Sequence, residues 1–192
     1  MIANEDMKRC PWAETHPLLT AYHDEEWGVP QYDEERLFEL LILESAQAGL
    51  SWLSVLKKRE GYRDAFAQFD VEKVAAFDQQ KIEGLCQSPY IIQNRRKIAA
   101  AVNNARQFIA IAEKHGSFSR FLWSFVDNKP ITNHWKNPSD VPASTPLSAR
   151  LSGELKKRGF TFVGPIICYS YMQAVGMVND HLIHCFCHGK SF

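Results

Sequence analysis

Apolar positions recur along most of this chain at helical rather than strand spacing. Leu37, Leu40, Leu41 and Ala48 mark one stripe of a first strong helix. Asp33 precedes it as an N-cap, with Glu34 and Glu35 in the first turn. Glu44 falls on that same stripe, where a carboxylate is costly unless something bonds it. Gly49 stops the helix and leaves Leu50 at the tip of a turn. Ser51 then caps a second helix to about Arg59, with Trp52 in its first turn. The pattern predicts further helices over Tyr62–Phe69, from Asp70 to Ala76 and from Asp78 to Cys86. After a turn through Ser88-Pro89-Tyr90, the spacing of Ile98, Val102, Ala105, Ile109 and Ala112 predicts a long helix that Gly116 ends. Ser117 caps a brief aromatic-rich helix ending near Val126. Asn128 to Pro146 is polar, holds four prolines and reads as a long loop. Ser144-Thr145-Pro146 opens another helix that Gly159 ends, and Gly164-Pro165 opens the most apolar one, closed by Gly176. Tyr169, Ser170 and Gln173 interrupt that last apolar stretch. Only Phe160 to Val163 suggests a strand, so the chain reads as all-α.

The length of 192 residues suits a single domain, 1–192. It divides into an irregular segment, about 1–32, and a helical body, 33–192, holding a hairpin near 86–98. Lys plus Arg equals Asp plus Glu, at 22 each, so net charge does not choose a partner. Distribution says more: Lys57-Lys58-Arg59, Arg95-Arg96-Lys97 and Lys156-Lys157-Arg158 are compact basic clusters. Each singly reads as a solvated helix end, and together they favour a phosphate-facing surface. Met1 to Cys10 is polar and has no secretory core, and no run of about 20 apolar residues spans a membrane. An odd count of five cysteines suits a reducing cytosol.

The irregular segment gathers Cys10, Trp12, His16, Tyr22, His23 and Trp27. Near the other end, His181 and Cys185 stand one helical turn apart. Two Cys and two His would close a tetrahedral zinc shell and join the chain ends. Buried cysteines and solvated histidines explain the same residues equally well. His16, His184, Cys187 and His188 also compete, so spacing does not choose the ligands. A hairpin followed by Arg95-Arg96-Lys97 can hold a DNA phosphate at a helix N-terminus, although plain helical hairpins are common. Tyr22, Trp27 and Trp52 could stack on bases, although core packing is the usual fate of each. Serine-hydrolase, phosphate-loop and zinc-protease motifs are absent from the sequence. No Asp occurs between Asp78 and Asp127, so the helix after the hairpin carries none.

These residues together resemble the bacterial DNA-3-methyladenine glycosylase I family, over about Arg9 to Cys187. The most specific pieces are Arg9-Cys10-Pro11-Trp12, Tyr22 through Pro30 and Glu44 through Trp52. Ile91 through Ile98, Lys157-Arg158-Gly159-Phe160 and Gly164 through His181 follow in order. The resemblance implies an all-α helix-hairpin-helix DNA glycosylase fold and hydrolytic excision of 3-methyladenine from alkylated duplex DNA, with no lyase step. It implies one structural zinc per chain on Cys10, His23, His181 and Cys185, joining the N- and C-terminal segments. It places the base pocket on Tyr22, Trp27, Glu44 and Trp52, with Glu44 the catalytic group. It places a DNA wedge on Gly49, Leu50 and Ser51, and the hairpin reading adds Arg95, Arg96 and Lys97 as DNA contacts. The hairpin departs from the family pattern at Ser88-Pro89-Tyr90 and at Gln93, where a basic residue is usual. The expected partners are damaged duplex DNA and the free base as product, in a bacterial cytosol beside the nucleoid, with no membrane or obligatory protein partner. The rival readings are a non-catalytic damage-binding module on the same fold and a catalytic zinc hydrolase. A four-ligand shell argues against the latter, because catalytic zinc needs an open position.

Overall fold

The computed structural model describes residues 8–190, so the ends of the expected 1–192 domain lie outside the described residues. Helices dominate. A 3-10 turn at Pro11–Thr15 leads into α1 (Pro17–Glu25), then α2 (Glu34–Gln47), α3 (Trp52–Leu56), α4 (Arg59–Ala65), α5 (Val71–Ala75) and α6 (Gln79–Cys86). The long α7 (Arg95–His115) follows, then α8 (Phe118–Trp123), α9 (Pro146–Lys157) and α10 (Pro165–Ala174). Two short strands, β1 (Ile131–Thr132) and β2 (Val178–Asn179), pair in parallel. They tie the Asn128–Pro146 loop to the segment after α10. The strand suggested at Phe160 to Val163 does not form.

Three further expectations change. The segment before Asp33 is more ordered than its lack of periodicity implied, because α1 is a true helix capped by an unusual residue: His16 Nδ1 accepts from Leu18 N at 3.1 Å. The helix predicted from Ser51 to about Arg59 stops at Leu56 as α3, and the one predicted over Tyr62–Phe69 starts earlier, at Arg59 as α4, and ends in a 3-10 turn. Left-handed backbone at Ala67, Gln68 and Phe69 forces that ending.

The core is built around α2. Every residue from Leu37 to Ala46 is buried, so the helix is enclosed rather than striped. Phe38 meets Phe108 of α7 and Phe69 edge-on, and Tyr171 of α10 donates its hydroxyl to the Leu37 carbonyl at 3.0 Å. Glu39 tolerates enclosure because Arg59 Nε donates to it at 2.9 Å and Arg36 and Arg63 also pair with it. Arg36 and Arg59 extend the network to Glu26 at the end of α1. Arg59 is therefore removed from the basic surface.

The hairpin formed by α6 and α7 packs its turn against α4. A Cβ on Gly61 would lie 2.3 Å from the Tyr90 carbonyl oxygen, so only glycine admits this approach. Lys58 Nζ donates to the Pro89 carbonyl at 2.7 Å and the Tyr62 hydroxyl accepts from Ile92 N at 3.3 Å. Asn94 caps α7, its Oδ1 accepting from the amides of Arg96 at 3.1 Å and Lys97 at 3.2 Å.

Candidate active site and metal cluster

A cavity of about 370 Å³ opens between the end of α2, the start of α3, α1 and the segment around α10. Tyr22, Trp27, Glu44 and Trp52, the four residues expected to receive a base, all line it. Tyr22 and Trp52 approach with ring centroids 5.1 Å apart and tilted by 55°. Three of these side chains end in buried polar atoms with no hydrogen-bond partner: the Tyr22 hydroxyl, Glu44 Oε2 and Trp52 Nε1. Buried polar groups are nearly always paired, and each orphan costs roughly 1–3 kcal/mol. Three orphans around one cavity mark a place built for a polar ligand.

Glu44 is only 3% exposed, and burial pushes its carboxyl up to about 8. Among the described residues no charged neighbour offsets that shift. Burial raises the Tyr22 phenol as well, and the nearby Glu44 adds to that.

The turn after α2 is a separate device. Gly49 takes φ +79°, which a side chain would resist, and Leu50 N donates to Gln47 O at 2.6 Å. Leu50 is left 44% exposed at the tip, an apolar side chain between Gln47 and Trp52 in the chain, both of which line the cavity. Ser51 caps α3, accepting from Ser54 N at 3.2 Å. Lys97, expected with Arg95 and Arg96 at the DNA surface, is otherwise engaged. Its Nζ donates to the carbonyls of Ala46 at 2.8 Å and Ala48 at 2.6 Å, which caps the end of α2. Arg95 and Arg96 remain exposed and share a groove with Lys156.

Behind the cavity lies a cluster of His and Cys side chains that could hold a metal. His23, His181, Cys185 and Cys187 bring one ligand atom each within 4.8 Å of the others, and all four are buried. Three of these belong to the expected set. Cys10, the fourth expected ligand, is buried at the margin: its Sγ accepts from Leu182 N at 3.5 Å, and its thiol bonds toward Cys185. Cys187, a competitor on spacing alone, is the member the expected set did not contain. Two of the remaining competitors have other partners, since His16 caps α1 and His188 Nε2 lies 2.9 Å from Asn133 O, and His184 is not part of the cluster. Thiol hydrogen bonds, from Cys10 foremost and then Cys187, hold the Cys185 sulfur far below the usual thiol range.

The donor set fits a metal. His23 Nδ1 lies 2.8 Å from Asp24 Oδ1, and His181 Nδ1 lies 2.9 Å from Asn179 Oδ1. Each ring is thus fixed by an outer partner and turns Nε2 inward, the arrangement that orients imidazole ligands. His23 Nε2 lies 3.4 Å from Cys185 Sγ, while His181 Nε2 is buried with no partner. The cluster also buttresses the cavity. Trp27 meets His181 edge-on at 4.6 Å, Trp12 meets His23 at 5.3 Å, and Trp12 meets Trp27 at 5.1 Å.

Several lining residues were not expected from the sequence. Trp12, Ser170, Gln173 and Asp180 line the cavity, as do Pro138 and Val141 from the long loop. The polar interruptions at Ser170 and Gln173 in an apolar helix were the available signal. The loop residues carried none, because tertiary contacts, the β1–β2 pairing and the bonds of Asn133 and Trp135 to Asp180, bring them here.

A family model of methyladenine glycosylases matches residues 12–188. The chain is 50% identical over 182 residues to DNA-3-methyladenine glycosylase 1 of Escherichia coli strain K12, covering 95% of this chain and 97% of that protein. It is 47% identical to a DNA-3-methyladenine glycosylase of Haemophilus influenzae, covering 93% and 97%. A solved structure of a tyrosine-to-phenylalanine variant of 3-methyladenine DNA glycosylase I, in complex with 3-methyladenine, superposes with a TM-score of 0.93 at 41% identity, covering 97% of this chain and all of that one.

Proposed function

The chain belongs to the methyladenine glycosylase family, and from that membership we propose that it excises 3-methyladenine from alkylated duplex DNA by hydrolysing the N-glycosidic bond. The observation that carries the assignment to this cavity is the convergence on it of three unpartnered polar atoms, on Tyr22, Glu44 and Trp52. One domain does the whole task and needs no second protein, and the reducing cytosol suits its free thiols.

A base inside a duplex is out of reach, so the nucleotide must be flipped out. Leu50 fills the vacated gap and offsets part of the unstacking cost. Gly49 and Ser51 shape the turn that carries it, and Lys97 anchors that turn to the first helical turn after the hairpin. Arg95 and Arg96 supply the phosphate contacts. The amides of residues 96 and 97 are already bonded to Asn94, so guanidinium groups rather than helix amides carry this grip.

In the pocket, Tyr22 and Trp52 stack on the flipped base, and Trp27 walls it. Methylation at N3 makes the base cationic. A cation beside Glu44 favours the carboxylate, so base entry drives the buried carboxyl to give up its proton. A neutral adenine offers no such compensation, and Glu44 therefore discriminates damaged from normal base. The cationic base is already a good leaving group, and its departure builds oxocarbenium character on the sugar. A strong general base is not required, in keeping with the missing aspartate after the hairpin, and Glu44 is not a nucleophile.

The His/Cys cluster would hold one zinc on His23, His181 and Cys185, the fourth ligand being Cys10, as the family resemblance implies, or Cys187, which the fold brings within 4.8 Å of the other three. A closed shell leaves no position for water, so its contribution is structural. It fixes the two chain ends and, through Trp12 and Trp27, the pocket wall.

The test is chromatography of bases released from methylated duplex DNA. The expected product is free 3-methyladenine, with abasic strands intact until alkali is added. Tight binding to the damaged duplex without base release would instead mean a damage-binding module.

A further inference from the structure

Asp180 precedes His181 in the chain, yet its carboxylate serves a different set of contacts. It is 1% exposed and accepts four hydrogen bonds. Oδ1 accepts from Asn133 Nδ2 and from Trp135 Nε1, both at 2.7 Å. Oδ2 accepts from the Tyr169 hydroxyl at 2.6 Å and from Gln173 Nε2 at 2.7 Å. The loop and α10 are thus clamped together on one carboxylate, and both Asp180 and Gln173 line the base cavity.

This clamp settles which way the Gln173 amide faces. An indole N–H can only donate, so Oδ1 must accept. A carboxylate offers acceptors at both oxygens, so the Gln173 –NH2 turns toward it. The Gln173 carbonyl oxygen is left with no hydrogen-bond partner among the described residues, on a side chain that lines the cavity with Tyr22 and Glu44. The cavity therefore presents a fixed acceptor that cannot turn over into a donor.

We propose that Gln173 is a specificity-determining residue of the base pocket and that Asp180 is its positioning residue. This rests on the cavity being the base site. A 3-methyladenine carries an exocyclic amino group with two N–H donors at the six position, one for Glu44 and one for the Gln173 carbonyl. A 3-methylguanine carries a carbonyl oxygen there, and the two acceptors repel. Sites built to bond a donor reject analogues that lack it, because the buried acceptor is left unpaired.

Methylated duplex DNA contains both lesions, so one single-turnover experiment reads the ratio of 3-methyladenine to 3-methylguanine release. Gln173→Met keeps the side chain's length and removes the acceptor, and should lower that ratio by about 5- to 30-fold, the worth of one or two kcal/mol. In Asp180→Asn the amide oxygen must stay with Trp135. The new –NH2 then faces Gln173, whose amide turns over and offers a donor to the cavity. That variant should favour 3-methylguanine further, a reversal that loosened packing would not produce. Melting curves report whether Asp180→Asn folds, and if it does not, Gln173→Met decides alone. An unchanged ratio in Gln173→Met overturns the proposal. A fall there with no change in folded Asp180→Asn overturns the part given to Asp180. Wild-type protein that releases neither base would instead overturn the functional reading beneath it.

Discussion

Replacing Glu44 by glutamine should make the protein more stable and less active, and the gain should depend on pH. The carboxyl lies at about 8 in the folded chain against an ordinary 4.5. Folding therefore holds a proton that the unfolded chain releases across that window. Because the native state binds more protons there, stability is fully present below about pH 4.5 and is lost as pH rises toward 8. With 1.36 kcal/mol per pKa unit, Glu44 withdraws on the order of 3 kcal/mol between pH 5 and pH 8. Glutamine has the same shape and no charge, so the variant loses this slope. Urea denaturation of both proteins at a series of pH values, with the same metal content, gives the difference directly. The two should coincide near pH 4.5 and diverge by roughly 4 kcal/mol at pH 8, with the variant above. Excision by the variant should fall several-fold or more while binding to undamaged DNA is retained. Parallel stability curves across the range would refute the burial argument, and unchanged excision would refute the recognition of a cationic base by a carboxylate.

Other outcomes follow from the same geometry. Leu50→Ala should lower excision from duplex by about 10-fold, the worth of a lost apolar insertion, and affect single strands little; equal losses would argue against a wedge. Lys97→Met should lower duplex excision by about 2- to 10-fold by releasing the Ala46 and Ala48 carbonyls, with the loss reversed in part by Lys97→Arg; a loss confined to nonspecific DNA affinity, with a reduced salt slope, would make Lys97 a phosphate contact instead. Chelation should remove close to one zinc per chain and lower the melting temperature together with activity, whereas a metal-free chain with an unchanged melting curve would refute the structural role.

Local signals made the central device legible. Asp33, Gly49 and Ser51 each dictate a helix end within a few residues, so α2, its turn and the start of α3 could be placed from sequence. Glu44 stood out because a charge on an apolar face demands a reason, and the orphaned Oε2 supplies it. Long-range facts were hidden. Lys97 reads as one of three consecutive basic residues, and only the folded chain shows its ammonium on the end of α2. Arg59 likewise belongs to a basic run in sequence and to a buried ion-pair network in space. The Asn128–Pro146 stretch read only as a long polar loop with no role assigned. Its place became visible only when β1 paired with β2 and Trp135 reached Asp180. Spacing also could not rank Cys10 against Cys187, because the chain ends meet through tertiary structure rather than along one helix.

The central claim is that the cavity of Tyr22, Glu44 and Trp52 receives the damaged base. Trp52 Nε1 is buried without a partner and lines the cavity, whereas Trp123 Nε1 donates to the Gln31 carbonyl at 2.7 Å and is not among the cavity's lining residues. Free 3-methyladenine added to nitrogen-15-labelled protein should therefore shift the indole N–H resonance of Trp52, assigned with Trp52→Phe, and leave that of Trp123 in place. A Trp52 resonance that stays fixed at saturating base would contradict the account.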